Sequence, residues 1–205
     1  MKKLFLASSF KDVAPLFEDF AENTNGKTVT FIPTASVVEK VTFYVKSGKK
    51  ALEKMGMIVD ELEISTAAPE EIADKLAKND MIYLSGGNTF FLLQELNRSG
   101  AGKMISEQVA AGKLYIGESA GAMVAAANIE YAAAMDSVKK APDLKSFDSL
   151  GLTSFYTVPH HTNAPFAKAV EKIIAQYDKS LPLYPISNKE AVLVDGDNIA
   201  IKRNA

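Results

Sequence analysis

The chain has 205 residues and no cysteine. This absence excludes a disulfide framework, a thiolate metal site and a cysteine nucleophile together. Charge of one sign is not in excess either, because 23 Lys and Arg residues stand against 25 Asp and Glu residues, for a net charge of −2. A protein without a basic excess is a poor candidate for binding nucleic acid. The composition therefore argues against thiol chemistry and against a polyanionic partner.

Long hydrophobic runs are also missing. The apolar stretch that follows Met1-Lys2-Lys3 stops at Ser8, which is too early for a signal peptide and favours a first β-strand. No segment approaches the length of a transmembrane helix. We expect no membrane partner and, by default, a cytoplasmic location.

Short apolar runs alternate with longer helical patterns through the first part of the chain. The runs are apolar at consecutive positions and are bounded by Gly, Asn or Asp, which is typical of parallel strands covered on both faces. This alternation predicts an α/β fold, a doubly wound and mostly parallel sheet with helices on both faces. The predicted strands are Leu4–Ala7, Val29–Ile32, Ile58–Ile64, Met81–Leu84 and Leu114–Ile116, and the predicted helices are Val13–Asn23, Val37–Met55, Pro69–Lys78, Thr89–Asn97 and Lys103–Ala111.

The last third of the chain has a weaker pattern. A helical periodicity runs from Asn163 to Tyr177, and an Asp-Gly pair at Asp195 separates two later apolar runs, as in a β-hairpin. We therefore expect the described sequence to finish in a small antiparallel unit. No repeat, low-complexity tract or linker interrupts it, which predicts a single catalytic domain over residues 1–205.

The most informative segment is the strand Leu114–Ile116 followed by Gly117-Glu118-Ser119-Ala120-Gly121. A serine between two such glycines, on a sharp turn from strand to helix, is the arrangement of a nucleophile elbow. The turn exposes the Ser119 hydroxyl, and the first amide of the helix, that of Ala120, can stabilise an oxyanion. The alternative is an ordinary strand–helix turn in which Ser119 only caps the helix.

A serine nucleophile needs a neighbouring base. The chain has only two histidines, His160 and His161, directly after the apolar stretch Phe155–Pro159. At least one of them is expected to be the base, and the residues alone do not choose between them. For the acid that orients the imidazole, Glu190 at the start of a predicted strand is the candidate. Its rivals are Asp136, Asp143 and Asp148.

A second glycine-rich turn, Ser85-Gly86-Gly87-Asn88-Thr89, follows the strand Met81–Leu84. Its backbone amides can face an anion closely, as the second half of an oxyanion hole or as a phosphate cradle. It can also be a plain turn in which Asn88 or Thr89 caps the next helix. No Gly-Lys-Ser/Thr follows, so phosphate binding is the weakest of the three interpretations.

Taken together these segments resemble the peptidase E family of serine peptidases, the α-aspartyl dipeptidases, with cyanophycinases as more distant relatives. The resemblance covers most of the chain and includes Phe31–Ala35, Ser85–Phe90, Tyr115–Ala122, Pro159-His160 and Pro185–Glu190. It implies a fold like that of class I glutamine amidotransferases. The implied activity is cleavage of short peptides after an N-terminal aspartate.

The resemblance also implies roles for individual residues. Ser119 matches the nucleophile of the family, His160 its base and Glu190 its acid, while the amides of Gly87 and Ala120 match its oxyanion hole. One departure concerns the segment after the histidine, Thr162–Tyr177, which lacks the arginine that holds the substrate's aspartate in the aspartyl dipeptidases. A lysine there offers a point charge but no bidentate fork. Hydrolysis is therefore better supported than selectivity for aspartate.

The sequence thus predicts a metal-independent serine peptidase that acts on small peptides and needs no cofactor. Two other functions share the same residues: an esterase, and a binding or regulatory protein that keeps the fold without turnover. A homodimer is compatible with the sequence, which does not fix the oligomeric state.

Overall fold

A computed structural model describes all 205 residues. Nine strands and seven α-helices follow one another in an α/β order. The strands are β1 Lys3–Ala7, β2 Thr28–Ile32, β3 Ile58–Glu61, β4 Met81–Leu84, β5 Leu114–Glu118, β6 Tyr156–Val158, β7 Leu183–Pro185, β8 Glu190–Asp195 and β9 Asn198–Arg203. The helices are α1 Ala14–Ala21, α2 Phe43–Lys54, α3 Pro69–Lys78, α4 Thr89–Ser99, α5 Ala101–Ala110, α6 Ala120–Met123 and α7 Ala167–Tyr177.

Seven of the strands form one sheet in the order β3-β2-β4-β5-β1-β8-β9. The first five are mutually parallel, whereas β8 runs antiparallel to β1 and β9 antiparallel to β8. Every residue of β4 and β5 is buried. Apolar clusters of 35 and 14 buried residues lie against the sheet, so both faces are covered and the predicted doubly wound architecture is confirmed.

Most predicted elements have the expected bounds, and three do not. The helical pattern predicted from Asn163 becomes a helix only at Ala167. The helix predicted from Val37 begins only at Phe43, because its buried side, with Gly48 and Leu52, lies further along the chain, whereas Val37 and Val41 are exposed and bury nothing that would support earlier turns. The strand predicted to Ile64 ends at Glu61. There the Glu63 carboxylate accepts hydrogen bonds from the Thr34 hydroxyl and the Ser65 amide, which turns the chain out of the sheet.

The predicted hairpin forms β8 and β9, and it extends the central sheet rather than making a separate unit. A small parallel pair, β6 with β7, lies outside that sheet. No helix has the length and apolar character needed to cross a membrane.

The topology brings several loops to one edge of the sheet. The carboxyl ends of β1, β4 and β5 are aligned, as Ala7 pairs with Glu118 and Leu84 with Gly117. Because β8 is antiparallel, its amino end lies at this same edge, with Ala191 opposite Ala7. The residues that follow the parallel strands therefore meet the residues that precede β8.

Candidate active site

Ser119 occupies the sharp turn between β5 and α6. Its backbone has φ 50° and ψ −107°, a conformation that costs a non-glycine residue about 1–3 kcal/mol. The surroundings hold it there, since the Ser119 amide donates to Ala7 O at 2.8 Å and the next helical turn hydrogen-bonds back to Ser119 O. The strained turn of a nucleophile elbow is therefore present.

The glycines on either side of Ser119 are required by close packing. A Cβ atom on Gly117 would lie 2.5 Å from Gly121 O, and one on Gly121 would lie 2.2 Å from Leu84 O. Both distances are far below van der Waals contact. A side chain on Gly117 would push α6 away from β5, and one on Gly121 would push it away from β4. This is why glycine is needed at both positions of the motif.

His160 is the histidine that reaches the nucleophile. Its Nε2 lies 2.9 Å from Ser119 Oγ, and its ring stacks on Phe166 with the centroids 4.8 Å apart. His161 lies elsewhere: its Nε2 is 3.6 Å from Glu171 Oε1. The geometry thus separates two histidines that the sequence left equivalent.

The backbone of His160 is held by Ser8, the residue directly after β1. The His160 amide donates to Ser8 Oγ at 3.0 Å, and the Ser8 hydroxyl donates to Ile186 O at 3.0 Å. Ser8 is buried. It therefore joins the histidine turn to the segment before β8.

The ring of His160 is set up to accept a proton at Nε2. Its Nδ1 lies 2.8 Å from Asn188 Oδ1, and because an amide oxygen can only accept, the proton sits on Nδ1. The Ser119 hydroxyl then donates to Nε2. Burial lowers the pKa of His160, against a smaller opposing effect of Asn188, so the imidazole is neutral near pH 7.

Glu190 does not occupy the place predicted for it. Its Oε2 accepts the Ser187 amide at 2.8 Å, and its Oε1 lies 3.7 Å from Arg203. These contacts, the Ser187 bond foremost, lower the pKa of the Glu190 carboxyl. The group on the imidazole is Asn188 instead, because Glu190 already belongs to β8 while Asn188 lies in the turn before it. Glu190 closes that turn.

Asn188 is itself held in place. Its amide donates to Asn163 Oδ1 at 2.8 Å, and the Asn163 amide donates to His160 O at 2.9 Å. Asn163 thus links the two turns that carry the histidine and the amide. No sequence signal predicts this role, because an asparagine in a loop is most often part of a turn.

The rival acids lie away from the imidazole. Asp136 accepts the Thr89 amide at 2.9 Å at the start of α4, and burial raises the pKa of its carboxyl. Asp148 contacts Asn128 and Ser146, and the amide of Asp143 donates to Gln94. None of the three is hydrogen-bonded to His160.

The two amides predicted for the oxyanion hole lie on neighbouring turns. Ala120 is the first residue of α6, where amides have no partner within the helix. Gly87 follows β4 at φ 139°, and a Cβ there would lie 2.1 Å from Ala35 O. The Gly87 amide makes no hydrogen bond within the chain. Both amides are therefore free to bind an anion.

Glu118, directly before the nucleophile, is buried rather than exposed to solvent. Its Oε1 accepts the Phe10 amide at 2.8 Å, and the Tyr83 hydroxyl donates to its Oε2 at 2.7 Å. Burial raises the pKa of Glu118 to about 7, although both hydrogen bonds act to lower it. The carboxyl ties the elbow to the loop after β1.

A cavity of about 670 Å³ opens over these residues. Its volume suits a small ligand rather than a folded polypeptide. The lining includes Ser119, His160, Gly87 and Asn188, together with the aromatic rings of Tyr44 and Phe166. No group of three or more His, Asp or Glu side chains is arranged to hold a metal ion.

Comparison with known proteins identifies the family. Peptidase family S51 matches residues 4–202. An uncharacterized peptidase of Listeria innocua is 59% identical over 202 residues, which cover 98% of this chain and 97% of that protein. A peptidase E of Salmonella arizonae is 37% identical over 145 residues, covering 70% of this chain and 60% of its own length.

A solved crystal structure has the same fold. The crystal structure of a candidate peptidase E from Listeria monocytogenes superposes with a TM-score of 0.97 at 57% identity, over 100% of both chains. The resemblance to peptidase E and the fold of the class I glutamine amidotransferase type are thereby confirmed.

Proposed function

We propose that this chain, which belongs to peptidase family S51, is a serine-type peptidase that cleaves short peptides with Ser119 as its nucleophile. The observation that carries the proposal is the hydrogen-bonded series Ser119, His160, Asn188, with distances of 2.9 Å and 2.8 Å. A serine hydroxyl bonded to a neutral, oriented imidazole is the arrangement that activates a serine nucleophile.

In the first half of the reaction, Ser119 Oγ attacks the scissile carbonyl carbon while its proton passes to His160 Nε2. The resulting oxyanion accepts hydrogen bonds from the Gly87 and Ala120 amides. His160 then gives the proton to the leaving amine, the C–N bond breaks, and an acyl-enzyme remains on Ser119. In the second half, a water molecule gives a proton to Nε2 as it attacks the ester carbonyl. The bond between the acyl carbon and Ser119 Oγ then breaks, His160 returns the proton to Oγ, and the carboxylic acid leaves.

Asn188 takes the place of a carboxylate in this scheme. It fixes the tautomer of His160 through Nδ1, as an acid would, but it brings no negative charge to the imidazolium that forms. An amide in this position is known from cysteine peptidases with a Cys-His-Asn site. We therefore assign Ser-His-Asn, in place of the predicted Ser-His-Glu.

The charges of the cavity bear on selectivity. The chain has only two arginines, Arg98 and Arg203, and neither lines the cavity. Two lysines, Lys11 and Lys140, line the cavity, but four acidic residues line it as well, and one of these, Glu39, pairs with Lys140 at 2.7 Å. A substrate aspartate would find no bidentate partner, so we propose a preference for peptides whose residue at the cleaved bond is uncharged. The rings of Tyr44 and Phe166 offer apolar contact there.

Two measurements test the proposal. A fluorophosphonate probe should label the wild-type protein and leave Ser119→Ala unlabelled; equal labelling of both would place the reactive group elsewhere. Hydrolysis of the matched dipeptides Asp-Leu and Asn-Leu then tests selectivity. Faster cleavage of Asp-Leu by about 10-fold or more would refute the preference for an uncharged residue while leaving the serine mechanism standing.

A further inference from the structure

The two edges of the central sheet differ in how they are protected. The β3 edge is four residues long and ends in Asp60 and Glu61, whose carboxylates pair with lysines. The β9 edge is six residues long, exposed along its whole length, and carries Ile199 and Ile201, which are 42% and 46% exposed. An open edge with apolar side chains is a template for a further strand.

The hairpin geometry shows which backbone groups of β9 are available. A two-residue loop, Gly196-Asp197, joins Asp195 to Asn198, and such a loop is closed by a hydrogen-bonded pair. Hydrogen-bonded and non-hydrogen-bonded pairs alternate along an antiparallel ladder. The amides and carbonyls of Ile199, Ile201 and Arg203 therefore point away from β8, toward solvent.

We propose that β9 is the interface of a homodimer, in which two copies of this strand pair antiparallel about a twofold axis at Ala200. That register places Ile199 opposite the partner's Ile201, and the symmetry repeats the pair. It also places Asp197 opposite the partner's Arg203, again twice. The outward groups of Ile199 and Ile201 then hydrogen-bond to each other across the axis.

Charge and side-chain matching select this register. Centring the axis on Ile201 would set Ile199 against the partner's Arg203 and leave Asp197 without a cation. With the axis at Ala200, isoleucine lies opposite isoleucine and aspartate lies opposite arginine. Both kinds of pair stabilise adjacent strands. Lys202, on the other sheet face, lies opposite the partner's Asn198 and meets no like charge.

The apolar core also continues through the interface. Ile201 pairs with Val192, which pairs with Leu6, and both of those side chains are buried. Directly opposite residues share a sheet face. In the dimer this row of apolar side chains continues from Ile201 to the partner's Ile199. Each copy therefore covers isoleucines that are partly exposed in the single chain.

Strand pairing alone makes a small interface, so we expect a weak, concentration-dependent dimer with Kd in the range of about 10–100 μM. Sedimentation equilibrium of the full chain measures it directly. Ile201→Lys should raise Kd by at least about 10-fold, because it puts a charge into the apolar pair. The matched control is Ile58→Lys on β3, an isoleucine at the opposite edge that is 58% exposed, and it should leave Kd unchanged.

Charge reversal tests the register separately from the fold. Asp197→Arg and Arg203→Asp should each weaken the dimer, and the double variant should recover it, because the ionic pairs are restored with inverted sign. Thermal melting of each variant verifies folding. A chain that stays monomeric at several hundred micromolar, roughly 10 times the expected Kd, overturns the proposal. So does a dimer that Ile201→Lys leaves intact, or a double variant no better than the single ones.

Discussion

Ser119 and His160 share a hydrogen bond, but the chain segments that position these two residues are of different kinds. The turn that carries Ser119 is formed within one contiguous segment, β5, the elbow and α6, and the neighbouring strands only brace it, through Ala7 O and Leu84. His160 depends on three separated segments: its own turn, Ser8 after β1, and Asn188 before β8. The nucleophile is thus a property of local sequence, whereas the base is a property of the assembled sheet.

This difference predicts which substitutions should disturb the position of each catalytic side chain. Local strain and close glycine packing fix Ser119, so we expect few distant changes to move its oxygen, apart from changes at Ala7 or Leu84, which contact the elbow. The imidazole is held by single hydrogen bonds from residues far apart in the chain, so changes in any of these residues should alter its orientation or its pKa. The following experiments separate the two halves.

Removing the imidazole should have the largest effect. His160→Ala should lower kcat/KM for a cleaved dipeptide by about 10⁴-fold or more, since Ser119 loses its base. His161→Ala is the matched control, and we expect a change of less than about 3-fold, because His161 contacts Glu171 and not the nucleophile. A larger loss in His161→Ala than in His160→Ala would reverse the assignment.

Changing the group on Nδ1 should have an intermediate effect. Asn188→Ala should lower kcat by about 10- to 100-fold, because the tautomer and orientation of His160 are no longer fixed. Glu190→Gln should lose less, since Glu190 only closes the turn through Ser187. If Glu190→Gln proved the more damaging of the two, the carboxylate would have to act on the imidazole after all.

The pH profile gives an independent measure of the same contact. His160 must be neutral to act, and its pKa is lowered by burial, so activity should persist to lower pH than an ordinary histidine allows. Asn188→Asp brings a negative charge to Nδ1, which raises the pKa of His160. The acidic limb of kcat/KM should therefore move to higher pH in that variant, and an unmoved limb would contradict the contact.

The smallest effect on catalysis is expected beside the nucleophile, at Glu118. Its pKa in the folded chain is about 7, above the ordinary value of 4.5, so the folded state binds the proton more tightly than the unfolded state. The resulting stability is fully present below pH 4.5 and is lost as pH rises through about 7. In Glu118→Gln this pH dependence should disappear while kcat changes little.

Denaturant unfolding at a series of pH values measures that prediction, with the wild-type chain as reference. Glutamine can accept from the Phe10 amide and donate to the Tyr83 hydroxyl, so it reproduces the contacts of a neutral carboxyl. An unfolding free energy that falls equally with pH in both proteins would mean that another group titrates.

The contrast between the two halves also explains what could be predicted. The elbow can be predicted because its glycine spacing and the buried strand before it lie in adjacent residues of the sequence. Choosing His160 over His161 on physical grounds, and finding Asn188, required the antiparallel placement of β8, which no local pattern specifies. An acid was expected beside the imidazole because a carboxylate has a recognisable chemistry, whereas an asparagine two residues earlier resembles any turn residue.

Ser8 ties together residues that are 152 and 178 positions away from it along the chain. Contacts of such long sequence separation form late, after the loops between them have closed. A ribosome-bound fragment that ends before Asn188 would already contain the elbow, yet it would lack the amide that fixes the tautomer of the imidazole. We therefore expect the full rate of hydrolysis only once β1 and the segment before β8 have docked, so that a partly synthesised chain would act on the peptides around it at a small fraction of the final rate.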